Sequence, residues 1–307
     1  MDIFSALLLK LLPLYFIVFV GLLAGRYLGV KKESIAPLLI YIIAPVVIFN
    51  GVITTPLTTA TLSLPVLFFV LACIFCAAFY FIGGFIWKGS EKNILAFTAG
   101  TGNTGYFGLP VVLALFGDEF LGIAVLSTLG FILYENSVGF YITAKGNHTA
   151  KEALKKVLML PALYAFFVGV VINVSHLELS PLVFDTIASF RGAYIVLGMM
   201  LIGLGLSQVT RASLDYAFTG VSFLAKFFAW PIVIGLVIFL DLKYLHVYDP
   251  GIYKVMLLMS IVPLASNTVA YAAALNVHPE KAAISVLLST LFALIYIPLF
   301  IIAFFNF

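Results

Sequence analysis

The sequence predicts an all-α polytopic membrane protein of ten transmembrane helices. Three observations predict it. Apolar residues make up 64% of the 307 residues and charged residues 9%, against about 45–50% and about 25% in soluble domains. The mean hydropathy is +1.20. The apolar residues also gather into runs near the ~20 residues that a helix needs to cross a bilayer. Ten such runs use nearly the whole chain and leave no room for a separate soluble domain. A net charge of +3 is too small and dispersed for a nucleic-acid partner. Two cysteines cannot form a disulfide framework.

The expected spans lie at 7–29, 34–54, 63–87, 92–117, 119–143, 154–175, 186–208, 216–240, 252–276 and 280–305. The first is too long, and too poor in a small-residue cleavage site, for a secretory signal. Loops after the odd-numbered spans, with their flanks, carry Arg26, Lys31, Lys32, Lys88, Lys92, Lys145, Lys151, Lys155, Lys156, Arg211 and Lys281. The opposite side carries Lys10, Lys243 and Lys254 and most of the acids. By the positive-inside rule the cation-rich side is cytoplasmic and both termini face outward. The loop Ala144 to Lys156 divides the chain into five-helix halves, 1–150 and 151–307.

The halves carry an ordered similarity. Pro13 and Gly21 in span 1 match Pro161 and Gly169 in span 6. Gly102-Asn103-Thr104 in span 4 matches Ser266-Asn267-Thr268 in span 9, and Leu126-Ser127-Thr128-Leu129 in span 5 recurs as Leu288-Ser289-Thr290-Leu291 in span 10. Because five is odd, a second copy starts on the opposite face. The repeat is therefore inverted, an arrangement typical of secondary transporters.

Spans 4 and 9 read as broken helices. Gly100, Gly102, Gly105, Gly108 and Pro110 interrupt the first beside Thr101, Asn103 and Thr104; Pro263 interrupts the second ahead of Ser266, Asn267 and Thr268. Backbone opened in hydrocarbon survives only when packed in protein or lining a cavity. Each break starts a half-helix whose N-terminus offers free N–H groups and partial positive charge. The pair forms a site for an anion, with Asn103 and Asn267 as amide donors. The plainer alternative is that these residues only permit close helix packing. Gly100 to Gly105 also fits GxGxxG, but no strand precedes it and no βαβ unit surrounds it, so it is not a dinucleotide site.

Glu135 in span 5 is an intramembrane acid, costing about 2.5–3.5 kcal/mol at the bilayer centre on insertion scales. It is a proton carrier, or an oxygen ligand for Na⁺ with Ser127, Thr128 and Asn136; alternatively it reaches water or a lysine near the cytoplasmic end. Lys226 in span 8 is expected to snorkel to the inner interface rather than face substrate or Glu135. Arg191 is expected to anchor span 7 at the outer interface. Gly21, Gly25 and Gly29 form a packing face, and Cys73 and Cys76 are ordinary apolar residues. The histidines lack metal-site spacing. Asn147 and Asn173 head glycosylation triplets, the first on the cytoplasmic side and the second too close to the bilayer. No metal is expected beyond Na⁺, and no enzyme motif such as HExxH is present.

Gly102-Asn-Thr-Gly-Tyr-Phe-Gly-Leu-Pro110, Ile261-Val-Pro263 through Asn267, and Asn276-Val-His-Pro-Glu280 resemble the fourth and ninth helices of the auxin efflux carrier family. Pro45, and Lys226 ahead of Pro231, also fit. The resemblance implies a five-plus-five inverted repeat with crossing helices 4 and 9, similar to bile-acid symporters and sodium/proton antiporters. It also implies elevator-type transport of small organic anions. The long hydrophilic loop of the larger plant exporters is absent, and Ala273 stands where those exporters carry a lysine.

The expected protein is a secondary active or potential-driven transporter of a mono- or dicarboxylate across the cytoplasmic membrane. Its partners are the small organic anion and the lipid bilayer, with H⁺ or Na⁺ as coupling ion, no other cofactor, and a homodimer as the candidate assembly. Gly102, Asn103, Thr104, Gly105, Ser266, Asn267 and Thr268 bind substrate, Pro110 and Pro263 fix the breaks, and Glu135, Asn136, Ser127 and Thr128 handle the ion. The rival reading is a membrane sensor or receptor on a transporter fold.

Overall fold

The computed structural model describes residues 3–145, 159, 161–207, 215–275 and 277–304, and the regular elements among them are all helical. The boundary expected at 150/151, the cations Lys151, Lys155, Lys156 and Arg211, and the residues Asn147, His148 and Asn276 lie outside the described residues. Five helical stretches are long and apolar enough to cross a membrane: Thr59–Ile86, Asp118–Ala144, Pro181–Gly205, Tyr216–Leu245 and Pro279–Phe304. Thr59–Ile86, with 28 residues, is about 42 Å long at ~1.5 Å per residue. Shorter apolar helices cover Leu12–Tyr27, Tyr41–Thr54, Tyr164–Val174 and Pro250–Ile261. This is a multi-pass, all-helical membrane protein.

Helix α1 (Ile3–Tyr27) ends at Gly29, whose φ of +66° belongs to the left-handed region. The Val30 N–H reaches back to the Ala24 carbonyl at 3.3 Å, the six-to-one bond of a Schellman cap. Gly29 is thus a terminator and not part of a packing stripe, a correction to the sequence reading; a methyl group there would touch nothing. Gly21 and Gly25 do pack: a side chain would strike the Met200 backbone and Ser207.

A short helix α2 (Lys32–Leu38) leads through a π turn at Leu39–Ile43 into α3 (Ala44–Thr54). Helix α4 (Thr59–Ile86) opens with reciprocal bonds between Thr58 and Thr61, a capping box that satisfies first-turn amides. The expected fourth span is two helices, α5 (Glu91–Ala99) and α6 (Leu109–Phe116), joined by open chain and a π turn at Thr104–Gly108. Then come α7 (Leu121–Tyr134), a π turn at Glu135–Gly139 and α8 (Phe140–Ala144).

In the second half, α9 (Pro161–Val174) and α10 (Pro181–Ser207) precede α11 (Tyr216–Phe223), a π turn at Leu224–Ala229 and α12 (Trp230–Leu240). The expected ninth span is likewise divided, into α13 (Pro250–Ile261) and α14 (Asn267–Ala274), before α15 (Pro279–Phe304).

Three of the π turns end just ahead of Pro45, Pro110 and Pro231. Proline lacks the N–H for the carbonyl one turn back and its ring crowds that carbonyl. Widening the preceding turn relieves both problems without breaking the helix. Sequence reading finds the prolines but not this local answer to them.

The helices sort into two packed groups. In one, α1 lies along α10 and α3 along α9. Gly203 lets α10 approach the α1 backbone at Val18 and Leu22, and the Asn173 side-chain amide donates to the carbonyls of Val52, Ile53 and Thr55. Those three bonds close the end of α3 and leave that amide no freedom to carry a glycan. In the other group α4 packs on α5 and α7, α12 on α13, and α14 on α15. Phe68, Phe75, Phe131 and Trp230 stack at its centre.

Candidate functional site

Both interruptions face each other in the interior. Chain leaves α5 at Gly100, where a side chain would collide with the Tyr134 ring, so glycine is required. Asn103 has φ −75° and ψ 57°, and the Thr104 N–H bonds the Gly102 carbonyl at 2.7 Å. That is an inverse γ-turn, reversing direction within three residues. It aims the Asn103 N–H at the Pro263 carbonyl, 2.8 Å away in the second break. The Asn103 side chain adds a bond to the Ser266 hydroxyl at 3.2 Å. On the far side, the Leu264 N–H donates to Ser289 Oγ at 3.1 Å.

The half-helices that end here expose carbonyls, which must find donors. Trp230 Nε1 donates to the Ala99 carbonyl at 2.7 Å, and the Tyr134 hydroxyl bonds the Ala96 and Phe97 carbonyls, each at 3.2 Å. Lys226 closes the other end, with Nζ 3.4 Å from the Met259 carbonyl. Its side chain is fully buried, and Nζ lies 5.5 Å and 5.2 Å from the ring centres of Phe131 and Trp230. Lys226 does not snorkel, contrary to expectation. It sits where the C-terminal ends of α5 and α13 present partial negative charge, which offsets part of the cost of burying a cation. Gly102 leaves the room: a methyl group there would meet Lys226 Nζ.

Glu135 joins the two breaks. One carboxylate oxygen accepts from the Thr101 hydroxyl and the other from Asn267 Nδ2 at 2.8 Å. It is 4% exposed, so a water-facing carboxylate is not the arrangement present. Asn136 beside it accepts from the Tyr271 hydroxyl at 2.6 Å and donates to the Ile132 carbonyl.

These groups line a cavity of about 300 Å³. Its floor is Gly102 to Tyr106 with Ala265, Ser266 and Asn267; its walls include Thr128, Phe131, Glu135, Asn136 and Tyr271. The other helix group contributes Tyr41, Val47, Ile48 and Tyr194. Thr128 and Thr268 hold buried hydroxyls without a partner among the described residues.

The structure brings together Gly102, Asn103, Thr104, Gly105, Ser266, Asn267, Glu135, Asn136 and Thr128 on that cavity. Thr268 is buried in the first turn of α14 and Pro263 lies inside its break, whereas Pro110 opens α6 beyond the π turn. Ser127 stands apart, its hydroxyl bonded to the Ile123 carbonyl. Eight residues separate it from Glu135, about 12 Å along a helix, so the two cannot share one ion. Sequence reading missed Thr101 as a Glu135 partner and the tyrosines Tyr41, Tyr106, Tyr194 and Tyr271. The available signal was tyrosine in mid-run, away from the interfaces where it normally collects.

A second cavity, of about 410 Å³, lies between the helix groups near Asn50, Thr54, Asp118 and Arg191. Half-buried Arg191 pairs there with the exposed Asp118 at 3.1 Å, so it links two elements rather than only anchoring its own.

Paired helix breaks converging on a buried polar cavity, within a bundle of apolar helices, define a membrane transport protein. The model of a family described as membrane transport protein matches residues 6–153. An uncharacterized transporter of Methanocaldococcus jannaschii is 28% identical over 221 residues, covering 67% of this chain and 69% of the relative. A second uncharacterized transporter, of Methanothermobacter thermautotrophicus, is 30% identical over 106 residues, or 34% of each chain. The first half of the chain is thus similar to a family of membrane transport proteins, and two thirds of the chain to an uncharacterized transporter.

Proposed function

We propose that this protein is a carrier of small organic anions, mono- or dicarboxylates, across the cytoplasmic membrane. Ten spans in a five-plus-five inverted repeat, 1–150 and 151–307, carry it out by elevator-type alternating access, with both termini outside. Its substrate site is the cavity floored by Gly102, Asn103, Thr104, Gly105, Ser266 and Asn267, with Thr268 buried behind it in the first turn of α14. Net movement is driven by H⁺, Na⁺ or the membrane potential, with Glu135 and Asn136 at the coupling position; Thr128, seven residues before Glu135, belongs to the cavity wall.

One observation carries this reading: the Asn103 N–H to Pro263 carbonyl bond, which joins the two breaks at the cavity floor. Half-helix N-termini there favour negative charge, and sites at such junctions are the common plan of secondary transporters. Tyrosine and valine walls from the second helix group suit the apolar body of an organic acid.

Purified protein in proteoliposomes, given radiolabelled acetate, succinate or benzoate under an imposed pH, Na⁺ or voltage gradient, is expected to accumulate at least one of them. Saturable binding without accumulation would replace the carrier reading with that of a receptor.

A further inference from the structure

The Asn267 amide that the anion site needs is already engaged. Asn267 Nδ2 donates to Glu135 at 2.8 Å, and the Thr101 hydroxyl donates to the other oxygen of the same carboxylate. Each donor comes from a different helix break, and Glu135 and Asn267 both line the cavity. Glu135 is, chemically, a carboxylate tethered inside a carboxylate site.

We propose that Glu135 is a built-in competitor of the substrate, so that an anion enters only when Glu135 is protonated and each anion crosses with one proton. The inference rests on the anion-carrier reading above and specifies its coupling. Ionised Glu135 and a bound carboxylate would share donors within a few ångströms, and like charges so placed do not both persist. Protonation removes that repulsion and weakens the hold of Glu135 on the Asn267 amide, which turns to the incoming anion. The new O–H of Glu135 can itself donate to the anion. On the far side the anion leaves, the carboxyl loses its proton to water, and Asn267 and Thr101 return to Glu135. Charge balances: a monocarboxylate moves with no net charge, and a dicarboxylate with one negative charge.

The groups around Glu135 leave the titration to it. From α14 come Asn267 and Tyr271; from the first break Thr101 and Tyr106; from α7 its neighbour Tyr134; and across the cavity Tyr41 and Tyr194. Amides, alcohols and phenols carry no charge at neutral pH. Lys226 lies on the opposite side of Gly102, bonded to the Met259 carbonyl, with no ion pair among the described residues. It is the other titratable charge to be separated experimentally.

The test is binding of acetate, succinate and benzoate to detergent-purified wild type and Glu135→Gln across acidic to alkaline buffers. Wild-type affinity for a monocarboxylate is expected to fall about tenfold per pH unit once Glu135 ionises. Glu135→Gln is expected to bind more tightly than wild type in alkaline buffer and to lose the slope, a gain that a damaged site would not show. A slope that survives the substitution would transfer the titration to Lys226 and overturn the proposal. A second measurement needs no variant: the sodium salt of the bound acid, added at matched alkaline pH where Glu135 is ionised, draws about one proton per site from a weakly buffered solution. Binding without proton uptake overturns the proposal and leaves the carrier reading standing. Failure of every acid to bind at any pH overturns the carrier reading itself.

Discussion

The main-chain amide of Asn103 and the carbonyl of Pro263 are 2.8 Å apart, although 160 positions separate them in the chain. A backbone bond between two helix interruptions is independent of side-chain identity, but its geometry depends on the γ-turn at Asn103. The side chain supplies a second, separable contact, to Ser266 at 3.2 Å. Replacing Asn103 by alanine removes the latter and leaves the former.

Asn103→Ala is therefore expected to fold and to lose carboxylate uptake by tenfold or more. The lost side-chain bond costs about 1 kcal/mol of stability. Uptake in proteoliposomes beside a thermal unfolding curve in detergent checks both halves. Normal uptake would remove Asn103 from the substrate site.

Gly102 and Lys226 are sterically coupled. Gly102→Ala is expected to destabilise by about 1–3 kcal/mol, because the new methyl meets Lys226 Nζ in a packed interior. In the background of Lys226→Met, whose flexible end carries no charge, the same substitution is expected to cost about 1 kcal/mol less. A double-mutant cycle of unfolding free energies measures this, and strict additivity would refute the contact.

Trp230 closes the severed end of α5. Trp230→Phe keeps most of the ring packing but leaves the Ala99 carbonyl without its donor at 2.7 Å. An unpaired buried carbonyl costs about 1–3 kcal/mol. Denaturation should register that loss, and hydrogen exchange should quicken in residues 91–99.

At the end of the bundle expected to face the cytoplasm, Lys281 Nζ lies 3.3 Å from Glu91 and 2.9 Å from Asp215, tying the starts of α5, α11 and α15. Burial alone would raise the Glu91 carboxyl; its own backbone amide, His278 and Lys281 outweigh burial and hold it below the usual value. Asp215 is lowered in the same way, against burial, by the Phe218 amide and Lys281. Carboxylates lowered in the folded state add stability above the unfolded carboxylate range of about 4, and that stability fades as pH falls through the folded values. Lys281→Met is expected to lower stability at neutral pH by about 1 kcal/mol or less and to flatten the acid limb of a stability–pH curve. An unchanged acid limb would show that Lys281 does not hold these carboxylates.

Much of this site can be read from composition against context. Gly100, Gly102, Asn103, Asn267 and Pro263 betray the breaks because helix-weakening and polar residues are costly in hydrocarbon unless something uses them. What stays hidden is partnership over long separations. Lys226 reads as a snorkelling cation in preference to an interior one, since hydropathy does not reveal that Gly102 opens a space beside it or that Met259 offers a carbonyl. Glu135 reads as a coupling acid, but its bridge from Thr101 to Asn267 depends on how the two broken helices meet. Ser127 is a different case: its eight-residue offset from Glu135 already argued against a shared ion.

The cavity has one polar side and one largely apolar one. Asn103 and Asn267 line the cavity and also bridge between the breaks and Glu135 through Ser266 and the Glu135 carboxylate, so changing either alters the polar side that recognises the anion. Tyr41, Val47, Ile48 and Tyr194 reach in from the helices opposite, and among the described residues none of them has a hydrogen bond to the breaks. Retailoring this protein for bulkier or slimmer cargo is therefore a matter of trimming those four side chains, an evolutionary dial that turns without loosening the hinge pin beneath it.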